Sequence, residues 1–172
     1  GDYEAAEELI LTIVEAYERI LGPEHPVTLT SMSDLAVTLH LMDDNGGAEE
    51  LNRTILEVRK RTLGQEHSDT LISMGNLAIT LSDMGDCEDA MELQRTVLEI
   101  REHTLGPEHP ETLISKGNLA TTLSEMGDYE GAEKLKRAVL EVEKRTLGLE
   151  HPDTLITMGN LAFTLSDMGN YE

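Results

Sequence analysis

The chain has 172 residues with no Trp, one Phe (Phe163) and four Tyr, so its apolar content is Leu, Ile, Val, Ala and Met, which suits helix interfaces rather than ring-filled sandwich cores. Lys and Arg number 13 against 34 Asp and Glu, and the formal charge of −21 is spread along the chain, which excludes nucleic acid and anionic membrane as partners and favours cationic ones. No stretch approaches the roughly 20 apolar residues of a bilayer span, and Cys87, the only cysteine, can form no disulfide within the chain, a lean toward the reducing cytoplasm.

In chain order, the apolar spacing predicts an all-α chain of about eight helices, near residues 3–20, 27–42, 47–63, 70–84, 87–105, 112–126, 129–147 and 154–168. They come in two kinds, related by a 42-residue period. GPEHP at Gly22 returns as GQEHS from Gly64, GPEHP from Gly106 and GLEHP from Gly148, and residues 85–126 match 127–168 at 26 of 42 positions without a gap. In the first kind, helix A, Leu71, Met74, Leu77, Ala78, Leu81 and Met84 fall at helical spacing, with Gly85 as a left-handed stop. In the second, helix B, Asp128 is a suitable N-cap and Ala132, Leu135, Val139 and Val142 mark the stripe. Gly and Pro interrupt every apolar run within about five turns, which excludes a coiled coil as the main architecture. Neither helix alone can hide its stripe, so the hairpins must stack on their neighbours.

NLAITLSDMGDCEDA, NLATTLSEMGDYEGA and NLAFTLSDMGNYE resemble the tetratricopeptide signature, with small residues (Ala78, Ala120, Ala162) at the crossing with helix B and a second set (Ala90, Ala132) after the turn. The 42-residue unit, with REHTLGPEHPETL between B and A, is similar to kinesin light chain repeats and to arrays attached to fungal and bacterial signalling proteins. The resemblance implies a right-handed superhelical solenoid that binds proteins along a concave face lined by helix A. The large aromatic residue usual on helix A is replaced by Leu39, Leu81, Leu123 and Leu165.

Residues 1–172 read as a single array that begins at a turn into helix B and ends after helix A, in mid-repeat, as a piece of a longer array would. Its first helix (Ala6, Leu9, Val14) and its last (Met158, Leu161, Leu165) then carry complementary apolar faces, which predicts head-to-tail self-association into a ring, a dimer or a filament.

For partner binding, Asn76, Asn118 and Asn160 recur on helix A with Asp34 in the matching place, and a ladder of side-chain amides can pair with the backbone of an extended peptide whatever its sequence. Positions that vary within repeated sequence are candidate selectors: Val37, Ile79, Thr121 and Phe163 at one, Met32, Met74, Lys116 and Met158 at another. Ser33, Gly75, Gly117 and Gly159 permit close approach of a ligand or a neighbouring helix, the second being the expectation. His25, His67, His109 and His151 sit in successive units and cannot converge on one metal ion; their expected role is to order the connector at the head of helix A, while His40 and His103 are expected to be isolated. The chain carries no Walker loop, HExxH or nucleophile elbow, and no cofactor or catalytic residue is expected. The reading is a protein-interaction module, with a structural spacer or self-assembling scaffold as its alternative.

Overall fold

In the computed structural model, residues 3–171 are described, and they form eight helices: α1 (Tyr3–Leu21), α2 (Pro26–Leu41), α3 (Asn45–Leu63), α4 (Ser68–Asp83), α5 (Cys87–Thr104), α6 (Pro110–Glu125), α7 (Tyr129–Thr146) and α8 (Pro152–Tyr171). The odd-numbered helices are of kind B and the even-numbered of kind A. They fall into two compact units, Gly1–Asp86 and Cys87–Glu172.

In the first unit α2 lies between α1 and α3, and Val14, Leu29, Met32 and Ile55 form a core with Ile10, Leu51 and Val58 at its margin. On α4, which packs against α3, Leu71, Met74, Leu77, Ala78 and Leu81 are all buried, as the stripe predicts, whereas Met84 caps the helix in solvent. The second unit repeats the plan. Leu119, Ala120 and Leu123 of α6 meet Ala132 and Leu135 of α7 and Met91 and Leu98 of α5.

The connectors explain the helix boundaries. Gly22, Gly64, Gly106 and Gly148 hold φ between 89 and 94°, ending each B helix in a conformation that a side chain would strain. Three residues on, the histidine is the N-cap: Nδ1 of His25, His67, His109 and His151 accepts from the backbone N–H of Val27, Asp69, Glu111 and Asp153 at 3.2 to 3.3 Å. Because the imidazole supplies the capping acceptor, the A helices start one or two residues earlier than the spacing predicts, at Pro26, Ser68, Pro110 and Pro152. At the other turn Asp43, with φ 63°, stands where Gly85 and Gly127 make the same reversal. Asp44 and Asp128 cap the following B helices by accepting from the N–H of Gly47 and Gly131 at 3.0 Å. α8 runs on through Gly169 to Tyr171.

A second, polar layer joins each B helix to the A helix after it. Thr28, Thr70, Thr112 and Thr154 are fully buried in the first turn of the A helices. Arg59 donates to the Asp69 carbonyl (3.2 Å) and to Ser73 Oγ (2.8 Å), and Arg101 repeats both bonds with Glu111 and Ser115. The matching residue of α7 is Glu143, equally buried, and one of its carboxylate oxygens has no hydrogen-bond partner among the described residues. A carboxylate only accepts, so it cannot replace a guanidinium that donates to a backbone carbonyl.

Thr157 stands where the other repeats have Ser73 and Ser115, so Glu143→Arg combined with Thr157→Ser should stabilise the chain by about 2 kcal/mol in chemical denaturation, by restoring the donors and removing an unpaired buried acceptor. Loss of the cap in His109→Ala should lower stability by about 1 kcal/mol, and His109→Asn should retain most of it.

Candidate functional site

Each A helix buries one face and leaves another open, and on α4, α6 and α8 the open face repeats an isoleucine, a glycine and an asparagine before a fourth, variable residue. On α4 the exposed Ile72 and Ile79 lie two turns apart, with Gly75 and Asn76 between them. The same rows are Ile114, Gly117, Asn118 and Thr121 on α6, Ile156, Gly159, Asn160 and Phe163 on α8, and Thr30, Ser33, Asp34 and Val37 on α2. Phe163, the only Phe of the chain, is 74% exposed. A Cβ added at Gly75, Gly117 or Gly159 would meet nothing within 4 Å, so these glycines do not serve a helix crossing, contrary to expectation. They leave bare backbone at the bottom of the open face.

Neighbouring A helices are brought side by side within each unit. In the second, Lys136 of α7 donates to Thr164 Oγ1 of α8 (2.7 Å) and to Ser124 Oγ of α6 (3.3 Å), so one ammonium ties the two helices together one turn from Thr121 and Asn160. Burial lowers the Lys136 pKa below its ordinary 10.5, opposed by the nearby Asp167 carboxylate. In the first unit His40 of α2 reaches Asp83 of α4 (Nε2 to Oδ2, 3.5 Å) and turns Nδ1 to Asn45 Oδ1 (2.9 Å), so His40 is not isolated as the sequence suggests. Asn52 donates to Thr80 Oγ1 at 3.1 Å in the place that Lys136 fills in the other unit.

Of the residues singled out from sequence, Asn76, Asn118, Asn160, Ile79, Thr121 and Phe163 lie on the open faces. Among the described residues no hydrogen bond engages the three side-chain amides. Lys116 does not join them: its ammonium is held by Glu102 (2.9 Å) and by the Pro107 carbonyl (3.1 Å) of the connector. That register is a core position, because Met32 and Met74 are buried there. Ile72, Ile114 and Ile156 were missed from the sequence; the signal available was an aliphatic residue recurring every 42 positions off the buried stripe.

The terminal helices carry a different kind of open surface. On α6 the face covered by α7 includes Ala120 and Leu123, both buried; on α8 the matching Ala162 and Leu165 are exposed, with Leu155 and Met158 beside them. On α3 and α7 Ala48, Ile55, Ala132 and Val139 are buried; on α1 the matching Ala6 is half-buried and Ile13 exposed, and Leu9 is 67% exposed. Val14 and Leu161 depart from expectation: Val14 belongs to the core of its own unit, and Leu161 is buried on α8, so neither is available for docking.

The tetratricopeptide repeat profile matches residues 1–61, 39–103, 69–142 and 116–172, the whole chain in four overlapping copies. The chain belongs to the tetratricopeptide repeat family. The crystal structure of a single-substitution variant of nearly identical TPR-like repeats of a kinesin light chain-like protein from Podosopora anserina superposes with a TM-score of 0.87 at 30% identity, covering 99% of this chain and 80% of that one. BtubC (BKLC) from P. vanneervenii gives 0.80 at 18% identity over 99% of this chain and 68% of that one, a likeness of fold. No curated protein sequence matches the chain. Tetratricopeptide repeats are in general protein-interaction modules. Among the described residues of this one, no helix is long and apolar enough to cross a membrane, and no group of His, Cys, Asp and Glu could hold a metal ion.

The lowered pKa of Lys136 fixes a sign. Between that value and 10.5 the unfolded chain binds more protons than the folded one, so stability gains a rising component with pH. In a Lys136→Met variant this component should vanish, so the stability difference should move in favour of the wild type as pH rises toward 10.5, as urea titrations at several pH values would read.

Proposed function

We propose that this chain is a protein-interaction module that takes an extended peptide, or an exposed segment of a partner domain, on the open faces of its A helices. The observation that carries this reading is the recurrence, outside the buried stripe, of an exposed aliphatic residue, a glycine with open space above it and an unengaged amide at Asn76, Asn118 and Asn160. Packing needs none of the three. Amides supply paired donors and acceptors for a peptide backbone, and the residues at 79, 121 and 163 set side-chain preference. Catalysis has no support here, and a single cysteine suits a cytoplasmic setting.

A second reading, self-assembly of the array, is favoured by the open faces of α1 and α8. Ala6, Leu9 and Ile13 have the spacing of the residues by which α3 and α7 cover an A helix, and Leu155, Met158, Ala162 and Leu165 form an A face of the covered kind. We read residues 1–172 as one array whose molecules join head to tail through these faces. The near-identity of the repeats suits such a scaffold, and also a spacer without a ligand.

Peptides selected from a displayed random library on the wild-type chain should lose roughly ten-fold in affinity in Asn118→Ala, Asn160→Ala and Phe163→Ala, with unchanged melting. Peptides that bind all three variants as tightly as the wild type would sink the A-face reading. In sedimentation equilibrium the wild-type mass should rise with concentration, while Leu9→Glu and Leu165→Glu each remain single chains. An equimolar mixture of the two variants should stop at pairs, because each keeps one intact end, and a one-chain mass for the wild type throughout would refute head-to-tail assembly.

A further inference from the structure

The four A helices differ at one position of the amide row, and the difference is a charge. Asp34 stands where the later repeats have Asn76, Asn118 and Asn160. Its side chain is exposed, and among the described residues it enters no hydrogen bond or ion pair; only its backbone carbonyl is used, by the Thr38 hydroxyl at 3.0 Å.

We propose that Asp34 makes the open face of the first unit selective for a partner segment that places a Lys or Arg between apolar residues. This rests on the A-face reading above and assigns the partner's chemistry. Three features of the first unit converge on it. Exposed Val37 lies one turn from Asp34 on α2, and α4, tied to α2 through His40 and Asp83, presents Ile72 and Ile79 on its own open face, so the unit offers one carboxylate and three exposed aliphatic residues on its A helices. Neither α2 nor α4 contains a Lys or Arg, and His40 is turned to Asn45 and Asp83. The cations of the unit do not engage it: Arg53 pairs with Glu49, Arg61 with Glu24, Arg59 is buried against Asp69 and Ser73, and Arg19 and Lys60, in the last turns of α1 and α3, form no ion pair with Asp34 among the described residues. No group of the unit neutralises Asp34, so an incoming cation meets no internal competitor. The surrounding charge of −21 adds long-range attraction but no register. In the second unit the same row is neutral, at Asn118 and Asn160, and a peptide bound there meets amides alone.

The test uses three fluorescent heptapeptides in which Leu alternates with Lys, Gln or Glu, titrated by anisotropy at physiological salt against the wild type, Asp34→Asn, Asn118→Asp and Asp43→Asn. Asp43 is an exposed acid in the α2–α3 turn and controls for general charge. The wild type should prefer the Lys peptide over the Gln peptide by roughly five-fold. Asp34→Asn should remove most of that preference, Asp43→Asn should leave it, and Asn118→Asp should enlarge it. Equal losses in Asp34→Asn and Asp43→Asn would overturn the proposal in favour of the general field. Binding of Lys and Gln peptides with equal affinity would overturn it while leaving the A-face reading intact. Failure of all three peptides to bind would overturn both.

Discussion

The close crossing of A and B helices at alanine is the contact on which the rest of the structure depends. Ala120 and Ala132 are fully buried against each other's helices, and Ala36 and Ala48 occupy the same places in the first unit. A larger side chain at either site would hold the helices apart and uncover the leucines around them. Once the helices cross at this distance, the pair exposes a continuous stripe on each outer side, and the stripe is hidden only by another helix of the complementary kind. The repeat is therefore the means of folding, each unit burying its stripe against the next.

Between B and the following A the apolar core is interleaved with polar contacts. Buried threonines, Arg59, Arg101, Asn52 and Lys136 supply a bond pattern that fixes how one helix sits on the next, where a uniform leucine interface would allow sliding. The pattern is not uniform along the chain. Glu143 Oε2 and the hydroxyls of Thr70 and Thr154 are buried without a hydrogen-bond partner among the described residues, so the bond pattern is incomplete there.

Residues that pack and residues that stay exposed also differ in how far they repeat. Stripe, cap and stop residues repeat because every unit meets the same neighbours. The open A face is under no such demand, and there the chain varies: Val37, Ile79, Thr121 and Phe163 in one row, Asp34 against three asparagines in another. Packing residues thus stay constant while the side chains exposed on successive A helices change. The cations are kept off that surface, since the only Lys or Arg on an A helix, Lys116, is drawn back to Glu102 and the connector.

Period, helix kind, stops and stripes were legible in the sequence because they are local: a 3.6-residue stripe, a glycine with positive φ and a small residue at a crossing each leave a fixed spacing. The amide row and the variable row were legible for the same reason. Which side of helix A these residues occupy was not. Lys116 and Met158 share a register with Met32 and Met74, yet one is tied to a connector, one is exposed and two are buried, because the neighbours on each side differ. Val14 and Leu161 read as apolar residues on terminal helices, and only the packing of α2 and α7 against those helices buries them. The histidines order the connector at the head of helix A, as their place in the repeat suggests, by acting as N-caps, whereas threonine as a core residue escaped a reading by residue type, since it takes that role only when Gly22 and its equivalents fold the connector back onto the helix. The sequence by itself determined the units and their period. The tertiary structure decided which faces remain free, because exposure depends on what lies across from a residue, and that is a property of the neighbour rather than of the residue.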